Sequence, residues 1–198
     1  MEKKRKVIIV TDGDGFAKRA VERAATNIGG RCISSSAGNP TPIRGKDIVD
    51  FIKQAKHDPV IVMVDDRGHN RMGKGEKALE YIAKHKDIDI LGVVAVASNT
   101  HYVNGVKVDF SITSDGKIVQ EAVNKFGERT NGKTLFGDTV DVLSQCNIPL
   151  IIGIGDIGKM DGKDDCEIGA PIITRAMEEI INRRGGKDET FKKNRRKY

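Results

Sequence analysis

The sequence predicts an α/β protein with a doubly wound, mostly parallel sheet, helices on both faces and room for one antiparallel edge strand. Three observations carry this. Short apolar runs end in Asp- and Gly-rich turns, amphipathic stretches of helical spacing lie between them, and the two alternate regularly through the first half of the chain. Alternation of that kind builds parallel strands joined by right-handed crossovers.

Lys6 to Thr11 (KVIIVT) is apolar on both faces and stops at DGDG, as a strand covered on two sides should. From Asp14 to Ile28 the residues Phe16, Ala17, Ala20, Val21, Ala24, Ala25 and Ile28 recur at helical spacing. Asp14 is placed to cap the helix, and Gly29-Gly30 stops it. Arg31 to Ser35 is a weaker strand, and the two prolines and glycine of AGNPTPIR make residues 37–44 a loop. Lys46 to Lys56 reads as a helix with Ile48, Val49, Phe51, Ile52 and Ala55 inward. Val60 to Val64 is the next buried strand and ends at Asp65-Asp66. Gly75 to Lys86 is a helix, followed by the small-residue strand Ile88 to Ala97, whose Gly92 lets a helix approach closely.

The second half is less regular. Val106 to Thr113 alternates as a half-exposed edge strand would, Lys117 to Phe126 and Gly137 to Gln145 read as helices, and Ile148 to Ile154 is a further buried strand ending in GIGD. A final helix begins at Ile168 or Pro171 and runs to Asn182. Without a repeat or linker, residues 1–184 are expected to form one α/β domain.

With 198 residues the chain suits one sizeable core, and its 5% aromatic content without Trp makes that core aliphatic. No segment approaches the roughly 20 apolar residues that span a bilayer. The charged start leading straight into a strand is unlike a secretory signal. Cys32, Cys146 and Cys166 show no metal-ligand spacing, so a reducing, cytoplasmic setting is expected. The net charge of +6 resides wholly in the stretch from Arg183 to Tyr198, so residues 185–198 are expected to be a basic, disordered tail. A basic tail on a mildly acidic body, with few aromatics, argues against nucleic acid as the partner. Lys192, Lys193, Arg195, Arg196 and Lys197 are instead candidates for an anionic lipid surface.

Three strands end in acids: Asp12 and Asp14, Asp65 and Asp66, and Asp156. In doubly wound sheets ligands sit outside the carboxyl ends of the strands, so neighbouring exits would bring these carboxylates together. Repelling carboxylates attract a hard divalent cation, and Mg²⁺ or Ca²⁺ would suit them, Mg²⁺ together with a phosphate ligand. The equally weighted reading is that each Asp caps the helix or turn after its strand. The pattern GxxxxGK occurs three times, at Gly68–Gly75, Gly127–Thr134 and Gly153–Met160. In none do the Ser or Thr expected after the Lys and a strand-to-helix context coincide, which argues against a true nucleotide phosphate loop. Gly68, Gly73, Lys74 and Gly75, before a helix, and Gly153 and Gly155, after a strand, remain candidates for a generic anion site. Among the histidines, His57 and His85 fall at helix C-termini, where a cation suits the macrodipole.

TDGD with AKRA, GGRCIS, AGNPT, DPVIVMVDD, GEKALEYIAKHKDIDILGVVAVAS and IPLIIGIGDIGKMDGKDD together resemble the soluble stage V sporulation protein AE family, encoded among the SpoVA genes of endospore-forming bacteria. The likeness runs from the N-terminus to about Asn182. It implies a protein of sporulation and spore germination associated with the SpoVA membrane proteins, which move calcium dipicolinate across the inner spore membrane. Such a protein would sit in the cytoplasm of the sporulating cell or spore, or peripherally at that membrane. No set of catalytic residues is carried over by the resemblance.

Overall fold

The computed structural model describes residues 3–67, 72–100 and 103–184. Strand β1 (Arg5–Val10) leads into helix α1 (Gly15–Asn27), where Asp14 is the cap: its carboxylate accepts the N–H groups of Phe16 and Ala17, both at 2.8 Å. Beyond Gly29, whose φ of 69° suits a residue without Cβ, come the short strand β2 (Arg31–Cys32) and one 3-10 turn, Ser34–Ser36. Helix α2 (Gly45–Gln54), strand β3 (Val60–Met63), helix α3 (Lys74–Lys84) and strand β4 (Ile88–Val96) follow. The remainder holds β5 (Val106–Lys107), β6 (Phe110–Ile112), β7 (Ile118–Val119), β8 (Thr134–Leu135), the 3-10 turn Asp141–Gln145, β9 (Ile151–Ile154), the 3-10 turn Cys166–Ile168 and helix α4 (Pro171–Arg184).

The main sheet has the order β2-β3-β1-β4-β9-β6-β7, all parallel except β7, which pairs antiparallel with β6 at one edge. The architecture is the doubly wound α/β fold that the strand–helix alternation predicts. Strand pleating sends Val7 and Ile9 of β1 to one face and Ile8 and Val10 to the other. The first pair packs with Ile48 and Ile52 of α2 and Leu79 and Ile82 of α3, the second with Val21 of α1 and Ile173 and Met177 of α4. Burial on both faces is why β1 and β3 are continuous apolar runs. Gly92 serves the expected purpose: a Cβ there would lie 3.1 Å from Ile180 of α4 and 2.9 Å from the Leu150 carbonyl oxygen.

Four expectations are corrected. Phe51 is not an inward residue of α2 but is 42% exposed. Val106 to Thr113 is not one edge strand: β5 pairs with β8 in a separate two-stranded sheet, and β6 lies inside the main sheet, fully buried and parallel to β9. Residues 117–126 form no helix. Ile118 and Val119 pair with β6, and the segment then folds back so that Val123 bridges Arg129. The Asn124 carboxamide accepts the N–H groups of Phe126 and Glu128, and Gly127 takes φ 73°, so turn chemistry overrides the helical spacing. Of residues 137–145 only the last five coil, as a 3-10 turn. Gly137 packs against the Val96 carbonyl so closely that a Cβ would overlap it, and Phe136 accepts the Ser98 N–H, which holds the start of the segment extended against the end of β4.

Candidate functional site

The parallel strands all exit on one edge. Val10 of β1 lies opposite Met63 of β3, so Asp12 and Asp65, each two residues further on, leave the sheet side by side. Val96 of β4 lies opposite Ile154 of β9, which likewise sets Ser98 beside Asp156. Helix α1 carries the chain from β1 outward to β2, whereas the chain beyond β4 runs the opposite way towards β6 and β9. Connections therefore diverge between β1 and β4, the place where sheets of this class open a crevice.

The acids at this rim divide into two kinds. Asp14 caps α1. Asp66 caps α3, taking the Gly75 and Glu76 N–H groups at 2.6 Å on its two oxygens, with the Thr139 hydroxyl 3.2 Å from the second. The cap is built at some cost: Thr139, β-branched and buried, holds φ 59°, and Arg67, directly after Asp66, holds φ 56°. Gly73 is required because a Cβ there would overlap the Asp66 carboxylate.

Asp12 and Asp65 are held differently. Asp12 accepts the Asp14 N–H and Asp65 the Arg67 N–H, each at a long 3.3 Å, and the main-chain N–H groups of Asp66 and Gly13 also face the Asp65 carboxylate. Burial pushes the Asp12 carboxyl well above the usual carboxylate range, and Asp14, Asp65 and Asp156 push it further. Asp65, 3% exposed, is raised to about 6, first by burial and then by Asp138. Asp156 accepts the Gly158 N–H at 2.9 Å and is raised by burial, then by Asp14. The turns are locked together. A Cβ on Gly13 would lie 2.9 Å from the Gly38 carbonyl oxygen and 3.3 Å from Asp65 Cβ, and Thr41 exchanges main-chain and side-chain bonds with Asp65.

The candidate anion site has two of its amides, Gly75 and Glu76, already engaged. At the N-terminus of α3, beside Gly73, Lys74 and Gly75, the N–H groups that would cradle a phosphate already bond to the Asp66 carboxylate, so an external anion would have to displace it. Gly68 lies outside the described residues, as do the tail candidates Lys192, Lys193, Arg195, Arg196 and Lys197. Gly153 is interior to β9, where a Cβ would lie 2.5 Å from Ser111 Oγ. Gly155 packs on Gly127, with 2.6 Å from the Cβ position to its nitrogen. Both are packing glycines.

Asp138 and Thr139 belong to the rim and escaped the sequence reading, which placed them in a helix. Asp138 N–H donates to Ser98 Oγ, and the Ser98 hydroxyl lies 3.2 Å from Asp138 Oδ1. The available signal was a third Gly-Asp pair, Gly137-Asp138. Among the described residues no three Asp, Glu, His or Cys side chains form a ready group of metal ligands. What the rim offers chemically is paired hard oxygen donors, Asp12 and Asp65, whose protons a divalent cation would release on binding.

A family model described as stage V sporulation protein AE1 matches residues 6–184, and the chain belongs to that family. No curated protein and no solved structure matches it.

Proposed function

We propose that this member of the stage V sporulation protein AE1 family is an accessory protein that works beside the SpoVA membrane proteins in calcium dipicolinate movement, peripheral to the inner spore membrane. The observation that carries the reading is the family match over nearly the whole α/β body. Among the described residues no helix is long and apolar enough to cross a membrane, and the reading places the contact on the surface of the domain. The test is affinity capture of the full chain from detergent-solubilised membranes of sporulating cells. Enrichment of the SpoVA membrane proteins is expected, and their absence after cross-linking would overturn the reading. Liposome flotation with and without residues 185–198 tests the lipid part: binding to anionic vesicles should be lost with the tail, and equal flotation would remove the tail from the account.

A second reading rests on the strand register that sets Asp12 beside Asp65 at the rim, where neighbouring carboxylates oppose the ionisation of Asp12. In it the rim takes Mg²⁺ or Ca²⁺, with or without a phosphorylated ligand. Millimolar cation should then raise the melting temperature of the full chain, and Asp12→Asn should abolish the rise. No shift with either ion, alone or with a nucleotide panel, would end this reading.

A further inference from the structure

The edge of the sheet far from β7 is open. A groove of about 560 Å³ runs between β2 with the turn after it (Arg31 to Ser35) and the C-terminal end of α2 (Phe51, Gln54 to His57). It exists because the strand is only two residues long and, among the described residues, no strand lies beyond it. In the ladder with β3 the N–H groups of Arg31 and Ile33 bond to the Pro59 and Ile61 carbonyls. Main-chain groups alternate in direction along a strand, so the N–H and C=O of Cys32 point outward, away from β3. An edge of this kind is a template for another strand.

The lining states what that strand should carry. Arg31, Lys56 and His57 are exposed around the groove, and among the described residues no acid lines it. Glu22 is the acid that acts on Cys32 at this edge, set against Arg31 and Lys18, while Asp58 holds Arg5 at 2.9 Å and Asp87 holds Lys53 at 3.4 Å. Phe51, exposed where helical spacing called for burial, supplies an aromatic wall, and Ile33 an apolar floor.

We infer that this groove receives an extended acidic peptide segment of a partner protein, which adds to the sheet beside β2 through the Cys32 main chain, sets apolar side chains on Phe51 and Ile33, and places carboxylates on Arg31 and Lys56. Strand addition supplies main-chain bonds for affinity and alternate side-chain pockets for specificity. The inference is independent of the acidic rim, which lies at the carboxyl ends of the strands.

The test uses the full chain and two synthetic hexapeptides, one alternating glutamate with valine, the other lysine with valine. Amide hydrogen exchange and amide chemical shifts are followed by NMR. The acidic peptide should slow exchange of the Cys32 amide by about tenfold or more at saturation and shift resonances along Arg31–Ser35 and Phe51–His57. The lysine peptide should do neither. Arg31→Glu combined with Lys56→Glu, both on the surface, should reverse the preference without changing the melting temperature. Shifts at α2 with the Cys32 amide unprotected, or equal protection by both peptides, would overturn the inference. So would protection that grows with protein concentration in the absence of peptide, which would put a second copy of the chain in the groove.

Discussion

The exits of β1 and β3 carry the same chemistry arranged the same way. Each has two acids, and in each one carboxylate caps the helix that follows while the other is pressed into the rim. Asp14 and Asp66 are the caps, with two short main-chain bonds each. Asp12 and Asp65 receive only long main-chain contacts and sit where burial and neighbouring carboxylates oppose their ionisation. The difference separates structural from chemically available acid: a carboxylate saturated by helix amides stabilises the fold, whereas one held short of partners is free to exchange its proton for a cation.

The comparison breaks most visibly at Asp66. Asp66→Ala removes a charged acceptor from two helix amides and a buried hydroxyl and should destabilise the protein by about 3 kcal/mol, measured by denaturant unfolding. It should also bring the Glu76 carboxyl, now raised by burial and then by Asp66, closer to its ordinary value. Next in size is a pH effect. Because the Asp65 carboxyl is higher in the fold than in the unfolded chain, the native state binds the extra proton, and stability falls as pH rises through the window from the ordinary carboxylate value to about 6. The loss is on the order of 2 to 3 kcal/mol, and Asp65→Asn should flatten that part of the profile. Asp164, raised by burial to about 7 while it caps α4 through the Ile172 and Ile173 N–H groups, should extend the decline towards neutrality. Asp14→Ala, at a more exposed cap, should cost about 1 kcal/mol. Asp12→Asn should have the opposite sign, raising stability at neutral pH because it removes a carboxylate whose ionisation burial and the neighbouring acids oppose.

How far the sequence could be read follows from the same physics. Strands buried on both faces and helices with an apolar stripe leave strong periodic signals, so β1, α1, β3, α3 and β4 were placed within a residue or two, and with them the convergence of Asp12 and Asp65 on one edge. Asp14 was readable as a cap because it directly precedes its helix. Asp66 was ambiguous because its helix starts eight residues later and the contact closes through a loop. Between Val106 and Leu150 the strands are two or three residues long, held by turns and by contacts to distant strands, and local spacing misreads them. Ile118, Val119, Ala122 and Val123 fit a helix on paper, yet Asn124 and Gly127 turn the chain back. Asp138 was lost by the same route: its place at the rim depends on Ser98 of a different strand.

The division of the acids is tested most directly by titrating the aspartate side-chain carboxyl carbons of the full chain by NMR without added metal. Asp65 should titrate at about 6 and Asp12 well above the usual carboxylate range. If both instead lose their protons near the ordinary value of about 4, the rim acids are no different from the caps and the division fails.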